Sequence, residues 1–99
     1  MLLNIFKSYK QTAETNKAKV IKRDVKSFKK LCLKEFKQNI NRGIDTTVTD
    51  FCLNVSHEFE EEISEIVLTE LRQENKGIEF SFSWRHFANS YKGIKMVAI

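Results

Sequence analysis

The chain has 99 residues, 41% of them hydrophobic with eight Phe, and 17 Lys/Arg against 13 Asp/Glu for a net charge of +4. This supports one domain (1–99) with a real core and excludes a disordered chain, which needs low hydrophobicity and high net charge. No apolar run approaches the roughly 20 residues that span a bilayer, and Leu2, Leu3, Ile5 and Phe6 precede Lys7 and Lys10, the reverse of a secretory signal, so the expectation is a cytoplasmic protein with no membrane partner.

The modest total conceals two opposed halves. Residues 1–42 hold twelve Lys/Arg and three acids, whereas 43–79 hold two Lys/Arg and ten acids. Proline is absent and glycine occurs three times, so few breakers interrupt the elements.

The first helix is clearest over about 17–42. Ala18, Ile21, Val25, Phe28, Cys32, Phe36 and Ile40 recur at steps of three and four, which lays them on one face of a 3.6-residue period. Lys19, Arg23, Lys26, Lys30, Lys34 and Lys37 gather near the opposite pole as a cationic ridge. Upstream, Leu2, Phe6, Tyr9 and Ala13 keep the rhythm, but the polar stretch 11–16 blurs it, leaving both one long helix and a break open.

Gly43 suits the left-handed position past a helix end, with Ile44 packing back on the last turn. Asp45, Thr46 and Thr47 then offer caps for a second helix over about 47–76. Its stripe is Val48, Cys52, Val55, Phe59, Ile63 and Ile66; Leu53, Leu68 and Leu71 make a second row, so this helix requires two neighbours. Ile78, Phe80, Phe82 and Trp84 alternate with Glu79, Ser81, Ser83 and Arg85, the mark of a half-buried strand over about 78–85, and 94–99 reads as its partner, with a helical turn fitting 86–91. Each glycine follows a basic residue and precedes Ile, which reads as shared helix-exit chemistry.

The expected fold is α+β: an antiparallel helical hairpin packed on a short C-terminal antiparallel β-hairpin. A link of three or four residues would set the lysine-rich span beside Glu58, Glu60, Glu61, Glu62 and Glu65, with Lys22 and Lys29 meeting acids across the seam. Cys32 and Cys52 both fall on apolar stripes and read as reduced core thiols, too far apart in such a hairpin to bridge.

No catalytic pattern emerges. Cys32, Cys52, His57 and His86 lack metal-ligand spacing, and no Gly-rich phosphate loop or nucleophile elbow is present, so no metal, cofactor or enzyme activity is expected. The ridge Lys19, Arg23, Lys26, Lys30, Lys34 and Lys37 suits phosphate contact without base reading, against the alternative of a solvated helix face. Trp84, Arg85, His86, Tyr91 and Lys92 collect aromatics and cations of the kind that anchor protein partners, against the alternative of covering the core's open end.

The leading reading is a small binding or regulatory protein acting by macromolecular contact, with a protein partner and with homodimerisation left open. Lysine outnumbers arginine thirteen to four, a bias of AT-rich genomes such as those of many phages and mobile elements. Small lysine-rich chains are common among phage modulators of host machinery, an analogy of size and composition only. The alternative is a nonspecific nucleic-acid binder using the ridge; a small enzyme ranks last.

Overall fold

The computed structural model describes residues 2–84 and 91–99, with side chains over 8–84 and 92–99. The fold is α+β: a long helix α1 (Leu2–Asn41), strand β1 (Thr46–Asp50), a 3₁₀ turn (His57–Phe59), helix α2 (Glu60–Glu74), and strands β2 (Ile78–Trp84) and β3 (Tyr91–Ala98). The strands form one antiparallel sheet in the order β1-β3-β2. The C-terminal hairpin is present as expected, and a third strand from the same chain pairs with its other side.

α1 is continuous for 40 residues, because nothing before Gly43 breaks it; the polar stretch 11–16 is helical like the rest. It ends as the sequence indicates. Gly43 takes φ +78, its N–H donates to the Ile40 carbonyl at 3.0 Å, and the Ile44 N–H donates to the Asn39 carbonyl at 2.8 Å. These are the paired bonds of a Schellman exit.

Beyond that exit the chain departs from the expected second helix. Residues 46–50 are strand, not helix, and α2 begins only at Glu60. The run Thr46-Thr47-Val48-Thr49 is β-branched throughout, which favours extended backbone. Its alternation was hidden because its polarity is inverted: Thr47 and Thr49 are buried while Val48 is 40% exposed. α1 makes this tolerable. Asn39 Nδ2 donates to Thr47 Oγ1 at 2.9 Å, and Thr49 Oγ1 donates to Glu35 Oε1 at 2.6 Å. Buried hydroxyls with partners cost little; without them each would cost about 1–3 kcal/mol.

These contacts fix directions. Thr47 lies beside Asn39, Thr49 beside Glu35, and Ser56 beside Asp24, so β1 and the following turn run back down α1. The chain reverses again at 57–59, and α2 climbs alongside α1: Lys17 meets Glu62, and Lys29 meets Glu70 and Glu74. The two helices are therefore parallel neighbours, joined through a strand, and not the antiparallel hairpin that a short link would give. β1 and β2 flank β3, so β1-α2-β2 is a split β–α–β unit.

The helices pack on one face of the sheet. Val25, Phe28, Cys32 and Phe36 of α1 and Ile63, Val67, Leu68 and Leu71 of α2 meet Phe80, Ile94 and Met96 of the sheet. Phe51, just past β1, takes the core place that the helical reading gave to Cys52. Its ring lies 5.1 Å from Phe28 and 6.5 Å from Phe82, centroid to centroid. Cys52 is exposed in the turn beyond, so it is not a core thiol; Cys32 is fully buried, and both are free.

Of the three glycines, Gly43 alone is a helix exit: α2 ends at Glu74 with an extended cap at Asn75, so Gly77, expected to repeat that exit, lies instead in the link to β2. Gly77 has φ +82 like Gly43, but Gly93 does not share this left-handed conformation. Gly93 lies within β3, where a Cβ would run into the Thr49 carbonyl of β1. Its role is close approach between strands, a reason that its Lys-Gly-Ile context does not reveal.

Candidate functional site

The six ridge cations all lie on α1 between its first packed turn and its end, and all are exposed. At about 100° per residue they fall within roughly 80° of arc, and from Lys19 to Lys37 they span about 27 Å of helix axis. The opposite face of α1 carries Val25, Phe28, Cys32 and Phe36 into the core, which fixes the ridge outward. Among the described residues, Lys19, Lys26, Lys30, Lys34 and Lys37 form no ion pair; Arg23 contacts Asp24 at 3.1 Å.

Among the described residues, none of the acids expected to face this row, Glu58, Glu60, Glu61, Glu62 and Glu65, pairs with a ridge cation. Glu60, Glu61 and Glu62 occupy the first turn of α2, where carboxylates favour the positive helix end. Glu62 reaches Lys17 at 3.0 Å, and Glu60 lies 3.5 Å from His57. Lys17 also stands 5.3 Å from the centre of the Phe59 ring. Of the two lysines expected to cross the seam, Lys29 does so, but with Glu70 and Glu74, as the parallel arrangement requires. Lys22 is exposed and has no carboxylate partner among the described residues.

A half-open groove of about 650 Å³ follows the α1–α2 seam, lined by Ala18, Ile21, Lys22, Val25, Lys26, Lys29, Ile66 and Glu70. Sequence reasoning did not find it. The available signal was the breadth of the apolar surface of α2, more than α1 and the sheet together cover.

α1 also extends past the body. Residues 8–19 are exposed on every face, and the long molecular dimension, 63 Å, matches the helix itself.

The second candidate cluster is only partly described. Trp84 is 53% exposed and pairs in register with Tyr91 across the hairpin, beyond a bulge. Lys92 Nζ lies 3.9 Å from Asp50 at the same end of the sheet. Arg85 and His86 lie outside the described residues, as does most of the helical turn expected over 86–91, whose last residue, Tyr91, is instead the first of β3. Leu53, read from the sequence as part of a second apolar row with Leu68 and Leu71, is instead 99% exposed in the turn beyond β1 and held at φ +66.

Cys32 has no exposure to solvent, and burial pushes its thiol up to about 12 despite a hydrogen bond with Thr49; the nearby Glu35 charge adds to the rise. His57 is exposed, away from that thiol's buried surroundings. Among the described residues no group of three or more His, Cys, Asp or Glu is placed to hold a metal ion, and no helix is long and apolar enough to cross a membrane. No family model, curated protein or solved structure matches this chain.

Proposed function

We propose that this protein works by contact and not by catalysis, and that the contact is made by the outer face of α1 with a nucleic-acid backbone. The observation that carries this reading is the row Lys19, Arg23, Lys26, Lys30, Lys34 and Lys37, exposed along one side of a rigid helix and almost wholly without carboxylate partners. Cations at steps of three and four residues rise about 4.5–6 Å each, a spacing suited to successive phosphates. The row has one arginine and no aromatic, so it offers neither bidentate base contacts nor stacking. Binding on this reading is sequence-independent. A small cytoplasmic regulator of the phage-modulator type would fit this contact role, on size and composition alone.

The test is fluorescence anisotropy with a labelled duplex. Six neutralised phosphates predict that log K falls against log salt with a slope of about −5. The triple change Lys30→Glu, Lys34→Glu and Lys37→Glu, all at exposed positions, should abolish binding while the helical circular dichroism is retained. Absence of binding at about 50 mM salt, where such contacts are strong, removes the nucleic-acid reading.

A further inference from the structure

The groove between α1 and α2 differs chemically from the ridge beside it. Ala18, Ile21 and Val25 of α1 and Ile66 of α2 form an aliphatic floor. Ile66 is 37% exposed while Ile63 and Val67 on the same helix are fully buried, so α2 presents an apolar side chain that its own fold does not cover. Lys22 and Lys26 stand along one wall with no carboxylate partner among the described residues, and the lining acid, Glu70, is already held by Lys29 at 2.8 Å. Lys29, holding Glu70 and Glu74, stands at one end of the groove, and Ala18, next to the Lys17–Glu62 pair, stands at the other.

We propose that this groove docks an acidic amphipathic helix of a partner protein. The lining residues of α1 run from 18 to 29, about three helical turns or 16 Å, a length that receives a partner segment of about eleven residues. Floor residues at i, i+3 and i+7 offer the ridged surface into which a second helix sets its own i, i+3, i+4 and i+7 side chains. The unpaired Lys22 and Lys26 select acids flanking that apolar row. An aliphatic floor gives a nucleic-acid base nothing to stack on. In a second copy Lys17 and Ala18 already pack against α2, and the free arm 8–16 carries Lys10 balanced by Glu14, so it brings no acidic excess to the lysine wall. The inference is independent of the nucleic-acid reading: the two surfaces share Lys26 alone, and the variants that test them do not overlap.

The probes are three labelled peptides of about 14 residues, measured by anisotropy against the full chain: leucines at helical spacing flanked by Glu, the same with Lys, and a scrambled acidic version. The Glu-flanked helix should bind below about 100 µM and at least about tenfold tighter than the other two. Ile66→Ser and Lys22→Glu should each weaken it by about tenfold, as should Ala18→Gln, which fills the Ala18 end of the floor from an exposed position without adding charge. The ridge triple variant should retain docking whether or not it binds nucleic acid. No binding, equal binding of the scrambled peptide, or indifference to all three groove variants overturns the proposal. So does sedimentation showing a wild-type dimer that Ile66→Ser converts to monomer, because a second copy would then be the occupant.

Discussion

Lys29 Nζ lies 2.8 Å from Glu70 Oε1, 41 residues further along the chain, and equally close to Glu74 Oε1. Only 17% of the lysine side chain is exposed. This single nitrogen ties the last two turns of α2 to the middle of α1 and sets the parallel register of the helices. Its stem also packs along the seam, so the contact is more than a surface ion pair.

Replacing Lys29 by Met keeps the stem and removes the charge. The expected cost is about 1 kcal/mol at neutral pH, read from urea unfolding, the partners being partly exposed and screened. Burial alone would lower the lysine's pKa, but the hydrogen bonds and charges of Glu70 and Glu74 hold it above 10.5. A raised folded value means the contribution is complete below pH 10.5 and is lost as pH climbs through the folded pKa. The difference between wild type and Lys29→Met should therefore be level across neutral pH and shrink only in strong alkali. A difference that shrinks already between neutrality and pH 9 would contradict the assignment.

Asp24 gives the opposite pH dependence. Burial pushes its carboxyl up, but hydrogen bonds from the Ser56 side chain and backbone, with Arg23 alongside, outweigh this and leave it below 3.8. The Ser56 N–H donates to Asp24 Oδ2 at 2.7 Å, anchoring the turn that leads into α2. A depressed folded pKa stabilises above the unfolded value, and that stability disappears as pH falls through the folded one. Asp24→Asn should be less stable than wild type at pH 7 by about 1–2 kcal/mol, with the two converging under acid below pH 4. Parallel acid-unfolding curves would show that Asp24 is not the group responsible.

The two thiols should behave as different reagents. Cys52 is exposed and Cys32 is buried with a pKa of about 12, and only a thiolate reacts readily. A disulfide reagent at pH 8 should modify one thiol in the native protein and two in denaturant, with Cys52→Ser abolishing the native signal. Rapid native modification of Cys32 would mean that the α1–β1 seam opens.

Backbone demands separate Gly93 from Leu53. Gly93→Ala places a methyl against the Thr49 carbonyl across the β1–β3 pair and should destabilise by at least about 2–3 kcal/mol, the range of overpacked or strained sites. Leu53→Gly should do the reverse. Leucine at φ +66 is strained by roughly 1 kcal/mol, so glycine there should raise the unfolding midpoint slightly, offset by its greater freedom in the unfolded chain. A neutral Gly93→Ala variant would place the strands further apart than described.

Several features were legible in the residues alone. The amphipathic run of α1 and its exit at Gly43 and Ile44, the alternation of 78–84 and the outward lysine row each depend on near neighbours in sequence, where helical or strand periodicity acts directly. What failed had a tertiary cause. Thr47 and Thr49 are acceptable inside only because Asn39 and Glu35 reach them from α1, and nothing local announces those partners. Once 46–50 became strand, the second helix started later, ran parallel to the first, and Cys52 passed from core to surface.

An α+β chain with a cationic helix face follows from residue order, because charge and apolar period are properties of near neighbours along the chain. The tertiary structure alone decided which acids that helix meets, that Gly93 must lack a side chain, and that a lysine-walled groove stays open beside Ile66. Those outcomes depend on which segments lie side by side, and that is set by buried hydroxyls and an ion pair contributed from distant parts of the chain.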